Sequence, residues 1–227
     1  MRDPTDESPA VEAPDPDGRA LEAALAEKSA LLHEVGHRVK NNLQLVASLI
    51  LLQSRRTAED GARAALKTVL ERVNAVASVN RRLFQGDPQQ FEVADFIRDL
   101  TADLAAAAGR DDLKIALDLD PVDIPAASAA AFALVFNELL GNALKHAFPA
   151  GRAGRVDVRL RLADRGETLA LTVADDGVGM GSQAPAFGLT IVKLLCQQLH
   201  AEIEIADAQP GVRTTVTVPM TTPGKPQ

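Results

Sequence analysis

The sequence predicts an α+β protein, a helical hairpin followed by an α/β sandwich. Three observations carry that expectation. From Arg19 to Leu83 apolar residues recur at steps of three and four, with one interruption at Thr57-Ala58-Glu59-Asp60-Gly61. Beyond residue 90, short stretches such as Leu113–Asp120 and Gly154–Asp164 alternate apolar and polar residues, as half-buried strands do. Between those stretches lie helical segments, an order that suits one mixed sheet with helices on one face.

With 227 residues and 46% hydrophobic content, the chain has material for one large domain or two modest ones. It has no Trp, no Tyr and 7 Phe, so the core is expected to rest on Ala, Leu, Val and Ile. A formal charge of −7 argues against nucleic acid as a partner, since phosphate contacts need a basic face. Cys196 is the single cysteine, which excludes an intrachain disulfide and a cysteine metal cluster. No basic, then apolar, then small-residue leader is visible, and the apolar runs read as too short for a membrane span. A cytoplasmic location is the expectation.

Residues 1–18 are acidic and proline-rich and are expected to be disordered. Residues 19–87 should form the hairpin. In its first helix Leu32, Val35, Val39, Leu43, Val46 and Ile50 make one apolar stripe, and in its second Leu66, Val69, Val73, Val76 and Leu83 do the same. A lone hairpin leaves an apolar seam, so a homodimer closing a four-helix bundle is expected. The bland alternative is a hairpin folded back on its own C-terminal half. Residues 88–220 should form the second domain, with a hinge at 83–91 where Gly86 and Pro88 break the helix, and 221–227 a loose tail.

Several residues fit neither packing pattern. His37, Arg38, Lys40, Asn41 and Asn42 stand side by side in the first helix. Glu138, Asn142 and His146 share one face of an otherwise apolar helix, with Lys145 one position round. Carboxylate and amide oxygens suit Mg²⁺, and a lysine suits phosphate. The same cluster also reads as a solvated helix end laced with salt bridges. A strand then runs into Asp175-Asp176-Gly177-Val178-Gly179, and a small-residue loop leads to a helix at Gly188. A carboxylate past a strand can accept a hydrogen bond from an exocyclic amine. Glycine before a helix is a seat for phosphate. Each signal alone is ordinary turn chemistry. In sequence they describe a nucleotide site.

At these residues the chain resembles the bacterial sensor histidine kinases whose phosphoacceptor helix reads His-Arg-x-Lys-Asn-Asn-Leu-Gln, here His37 to Gln44. Asn137–Pro149 is similar to that family's N box, Asp175–Met180 to its first glycine box and Phe187–Val192 to its second. The resemblance spans roughly residues 20–219. It implies an ATP-binding sandwich of the gyrase and chaperone type behind a dimeric hairpin.

By that resemblance His37 accepts the phosphoryl group, and Asn41 occupies the place that assists phosphatase chemistry. Asn142 holds Mg²⁺ with Glu138 helping directly or through water, and Lys145 lies near the phosphates. Asp175 reads adenine, and Gly177, Gly179 and Gly188 shape the pocket. ATP and Mg²⁺ are the implied cofactors, and a response-regulator receiver domain the implied partner, with Arg38 and Lys40 steering it. Val212 stands where the family often has a threonine, and the loop from Gly181 to Gly188 is short and holds Pro185, so weak ATP affinity or slow autophosphorylation is expected. Eighteen residues before the hairpin are too few for a sensor, so the expectation is a signal from a separate protein, or none at all. Two other readings stay open: a phosphotransfer or regulator-phosphatase protein with little autokinase activity, and a non-enzymatic module that binds a regulator. His33 is the decoy acceptor, Cys196 reads as buried packing, and His200 as a surface residue.

Overall fold

The computed structural model describes residues 16–84, 89–149, 151–179 and 187–220. Helix α1 (Pro16–Arg56) and helix α2 (Asp60–Leu83) form the expected hairpin. The helix begins at Pro16, so residues 16–18 are not part of a disordered tail. Proline suits a first helical turn because the N–H it lacks has no partner there anyway. The expected tails at 1–15 and 221–227, and residues 85–88 of the expected hinge, lie outside the described residues.

The single apolar stripe of α1 is corrected: it divides between two faces. Val39, Leu43 and Ile50 are half-buried, with Gly36 buried, whereas Val35 and Val46 are exposed at 52% and 43%. Leu31, Leu45, Leu49 and Leu52 are exposed as well. Steps of three and four track two adjoining faces equally well, and only the partner helix decides between them. On α2 the deepest residues are Ala75 and Val79, and the expected Val69 is exposed.

The C-terminal half is built on a five-stranded mixed sheet. It contains β2 (Leu113–Leu119), β4 (Gly154–Ala163), β5 (Thr168–Asp175), β6 (Glu202–Asp207) and β7 (Val212–Pro219), in the order β2-β4-β5-β7-β6. β2 runs parallel to β4, and the other neighbours are antiparallel. Alternate residues of the central strands are buried: Val156, Val158 and Leu160; Leu169, Leu171 and Val173; Thr214, Val216 and Val218. That face carries α3 (Val93–Ala108), α4 (Ala126–Asn142) and α5 (Phe187–Gln198), and the other face carries Arg159, Arg161, Thr172 and Thr215.

Two features had no counterpart in the sequence reading. β1 (Gln90–Glu92) and β3 (Asp123–Pro125) pair as a small second sheet under Phe91 and Ile124. After Asn142 the chain widens into a π-helical turn, Ala143–Ala147. The core rests mainly on Ala, Leu, Val and Ile, as expected, and Phe91, Phe96, Phe132, Phe136 and Phe148 join them among its largest fully buried side chains, each removing far more apolar area from water than an alanine can. Among the described residues one helix, Ala126–Ala147, is after all long and apolar enough to cross a membrane; 72% of its apolar window is buried inside the fold.

The hairpin does not stand apart. α2 packs on α4, so the two halves meet along those helices.

Candidate active site

A cleft of about 310 Å³ opens where α2 crosses α4. Its walls are Thr68, Val69, Glu71 and Arg72 from α2, Asn137, Glu138, Gly141 and Asn142 from α4, Lys145 and His146 from the π-turn, and Gly188 at the start of α5. Of the expected site residues, the structure brings together Glu138, Asn142, Lys145 and Gly188. α4 is apolar nearly all round because it is the core helix, and its polar residues face the one side the sheet does not cover. The π-turn adds a residue to the helical cycle, and Lys145 and His146 both reach the cleft rim.

Glu138 is only 5% exposed. A carboxylate so buried needs partners. It takes both from Arg72, whose Nε donates to Oε1 at 2.8 Å and Nη2 to Oε2 at 2.7 Å, and a third from Asn137 Nδ2 at 3.3 Å. The bond to Glu138 raises the Arg72 guanidinium further above its ordinary value, against the opposing effect of burial. One residue earlier, Glu71 accepts from Lys145 Nζ at 2.5 Å. The reading of this cluster as a helix end with salt bridges is therefore met as well, with the bridges running to the other half of the chain.

Gly188 is a space requirement. A Cβ there would stand 2.9 Å from Glu138 Oε2 and 3.5 Å from both amide atoms of Asn142. The carboxylate, the amide and the start of α5 thus converge on one small volume. The buried Oδ1 of Asn137 has no hydrogen-bond partner among the described residues, and Asn137 lines the same cleft.

Asp175, Gly177 and Gly179 form a second group, behind the π-turn, and Asp175 is not part of the cleft lining. Asp175 Oδ1 accepts from the N–H groups of Gly177 at 3.0 Å and Val212 at 3.3 Å. Burial pushes its carboxyl above the usual range; those two N–H bonds pull the other way, and nearby Asp176 adds to the rise. Val212 supports Asp175 through its backbone, so this bond does not depend on the side chain at 212. Gly177 is pressed onto the π-turn, where a Cβ would meet the Ala147 carbonyl oxygen at 2.3 Å. Gly211, at φ +95°, lies so near Asp175 that a Cβ would meet its carbonyl oxygen at 1.8 Å. Gly179 also has positive φ, +77°. Met180–Ala186, with Pro185, lies outside the described residues.

His37 and Asn41 are exposed on α1, and neither lines the cleft. Gly36 touches the ring of Phe84, which places His37 level with the end of α2. Arg72 is twelve residues earlier, about 18 Å along the helix at 1.5 Å per residue. Cys196 is buried and His200 exposed, as expected. The sequence reading missed Glu71 and Arg72. An Arg beside a Glu on a helix ordinarily marks a solvated face, and nothing local points to partners sixty-six and seventy-four residues away.

Among the described residues no group of three or more His, Cys, Asp or Glu is placed to hold a metal. Mg²⁺ does not require one, because it keeps water and substrate phosphates and takes only one or two protein oxygens. Glu138 and Asn142, converging at Gly188 beside an unpartnered Asn137 oxygen, fit that demand. The cleft volume lies at the lower end of the range for small-molecule sites.

Residues 34–108 match the family described as histidine kinase, and residues 127–222 match the histidine kinase-, DNA gyrase B- and HSP90-like ATPases. The sensor histidine kinase PdtaS of Mycobacterium tuberculosis is 35% identical over 208 residues, which are 87% of this chain and 41% of that protein. Blue-light-activated histidine kinase 2 of Erythrobacter litoralis is 28% identical over 199 residues, 83% of this chain and 57% of that one. The solved histidine kinase domain of the Erythrobacter litoralis blue-light-activated kinase EL346 superposes with a TM-score of 0.64 at 28% identity, covering 86% of this chain and 93% of that one. The chain belongs to the histidine kinases and carries the two domains of their catalytic core. It spans about half the length of these curated relatives.

Proposed function

We propose that this chain phosphorylates itself on His37 from Mg²⁺–ATP and passes the phosphoryl group to an aspartate of a response-regulator receiver domain, in the cytoplasm. The observation that carries the reading is the convergence of Glu138, Asn142 and Lys145 on one cleft opposite Gly188. Residues 88–220 form the ATP-binding unit and 19–87 the phosphoacceptor unit.

Asn142 and Glu138 would hold the cation, which when bound neutralises charge on the phosphates. Lys145 offsets phosphate charge from the rim. Asp175 fixes adenine: Oδ1 is held by Gly177 and Val212, and Oδ2 accepts from the amine. Gly177, Gly179 and Gly188 keep the walls free of side chains. A neutral imidazole nitrogen of His37 forms the N–P bond as the bond from phosphorus to the ADP oxygen breaks. Asn41, one turn on, lies where it can orient a water for the reverse hydrolysis.

His37 stands about 18 Å along the hairpin from the cleft, so the ATP-binding unit has to leave α2 and travel toward the end of the hairpin. The exposed Leu31, Val35, Leu45, Leu49 and Leu52 recur at heptad-like intervals on the face of α1 that α2 leaves open. A second copy covers them best, closing a four-helix bundle. Arg38 and Lys40 beside His37 favour an acidic receiver site.

Incubation with γ-labelled ATP and Mg²⁺ tests this. The expected product is stable to base, labile to acid and absent in His37→Gln. Label taken up only from a phosphorylated receiver domain would point instead to a phosphotransfer or phosphatase protein. No transfer in either direction would leave a regulator-binding module.

A further inference from the structure

We infer that Glu71 and Arg72 form a latch that holds the ATP-binding unit against the hairpin and that only a cation and a nucleotide together release. The inference rests on reading the cleft as a nucleotide site.

Two adjacent residues of α2 meet both charges of the opposite wall, with crossed polarity. Arg72 covers Glu138, and Glu71 covers Lys145. Sliding one helix along the other breaks both bridges at once or sets like charges together. The Arg72 pair is largely shielded from water, its side chains 17% and 5% exposed, and a guanidinium fork on a carboxylate is among the stronger charged hydrogen bonds. The two bridges occupy the groups that the proposed chemistry needs. While Arg72 spans both Glu138 oxygens its positive charge stands where a cation would approach, and Lys145 faces Glu71 rather than a phosphate.

A magnesium nucleotide offers both latched groups of the ATP-binding unit a replacement: Glu138 would go to the cation and Lys145 to phosphate oxygens, leaving Glu71 and Arg72 to water as α2 withdraws. Nucleotide without cation draws Lys145 from Glu71 but leaves the Arg72–Glu138 bridge closed. The cation alone draws Glu138 from Arg72 but leaves Lys145 on Glu71. Release therefore requires both, and it frees α2 from α4 at the moment a nucleotide is seated. Occupancy of the site is coupled in this way to the movement that brings it to His37.

A closed latch lowers affinity by the fraction of molecules already open. Removing it should tighten binding, and a tenfold gain corresponds to about 1.4 kcal/mol. The test uses the full chain, with Mg²⁺–ADP binding measured by calorimetry and amide hydrogen exchange followed across residues 65–76. Arg72→Gln should bind Mg²⁺–ADP about tenfold more tightly than wild type, and Glu71→Gln more tightly by a smaller factor. Exchange at 65–76 should rise in wild type with Mg²⁺–ADP but not with ADP in EDTA, and should already be high in unliganded Arg72→Gln. Unchanged or weaker binding in both variants overturns the latch, as does exchange that Mg²⁺–ADP does not move. If wild type binds Mg²⁺–ADP and is labelled on His37 while the variants bind no tighter, only the latch falls. If wild type binds none, the nucleotide site falls with it. Glu71→Gln leaves the buried Glu138 paired, which guards against a variant that simply unfolds.

Discussion

The ring of Phe84 lies directly on Gly36: a Cβ built at Gly36 would stand 2.4 Å from the ring's Cγ. The hairpin thus closes through a residue with no side chain, one position before His37. Gly36 is expensive in a helix interior, by about 1 kcal/mol against alanine. The ring seat accounts for its presence there.

Gly36→Ala tests that relationship. Helix propensity favours the alanine by about 1 kcal/mol, while overpacking a fitted contact costs about 1–3 kcal/mol. The expected net effect is a loss of up to about 2 kcal/mol in urea denaturation. In a Phe84→Ala background the clash is gone, and the same substitution should stabilise by about 1 kcal/mol. The reversal of sign between backgrounds is the decisive observation.

Gly177→Ala and Gly141→Ala form a contrasting pair. The added methyl at 177 runs into the Ala147 carbonyl, which is backbone and cannot swing aside, so a loss of about 1–3 kcal/mol is expected. At 141 a Cβ meets nothing within 4 Å and the residue is helical, so about 0.5–1 kcal/mol should be gained. Thermal melts of the two variants against wild type check both directions.

The parts legible in sequence were those with a local physical cause. Helix periodicity placed α1 and α2, alternation marked strands in the C-terminal half with helical segments between them, and the crowding of Glu138, Asn142 and Lys145 on an apolar helix marked one wall of the cleft. β1 and β3 are three residues each, too short for alternation to register. The π-turn at Ala143–Ala147 has no composition that sets it apart from α4. Which face of α1 meets α2 is decided by packing, and Val35 and Val46 fit either stripe. Arg72 was illegible for the same reason: its meaning comes from Glu138, sixty-six residues away.

Cys196 offers a clean report on unfolding. Its side chain is buried in the core beneath the sheet, and burial raises its thiol above the ordinary value. Both effects oppose attack, the first by access and the second by scarcity of thiolate. A disulfide reagent should therefore react in guanidinium at once and in native buffer slower by roughly a hundredfold or more. Comparable rates in the two conditions would show that α5 opens without global unfolding.

Asp175 joins stability and binding with opposite signs. Burial raises its carboxyl in the folded protein, so the folded state holds that proton more tightly than the unfolded chain does. The stabilising contribution is complete below the unfolded carboxyl range, near about 3.9, and is lost as pH rises through the folded value. Above the folded value the group is ionised and its burial is a cost. Asp175→Asn removes that charge, while an amide oxygen in place of Oδ1 still accepts from Gly177 and Val212. The expected melting temperature at pH 7 is equal to or above that of wild type, with the difference shrinking as pH falls into the carboxyl range. Binding moves the other way. At the Oδ2 position the variant presents an NH₂ donor to the adenine amine, itself a donor, so Mg²⁺–ADP affinity should fall by about tenfold or more. Melts from pH 4 to 8 and a nucleotide titration check the two halves separately. A variant that melts well below wild type at pH 7 would show that the ionised carboxylate is a structural bond and would remove the separation of roles argued for it.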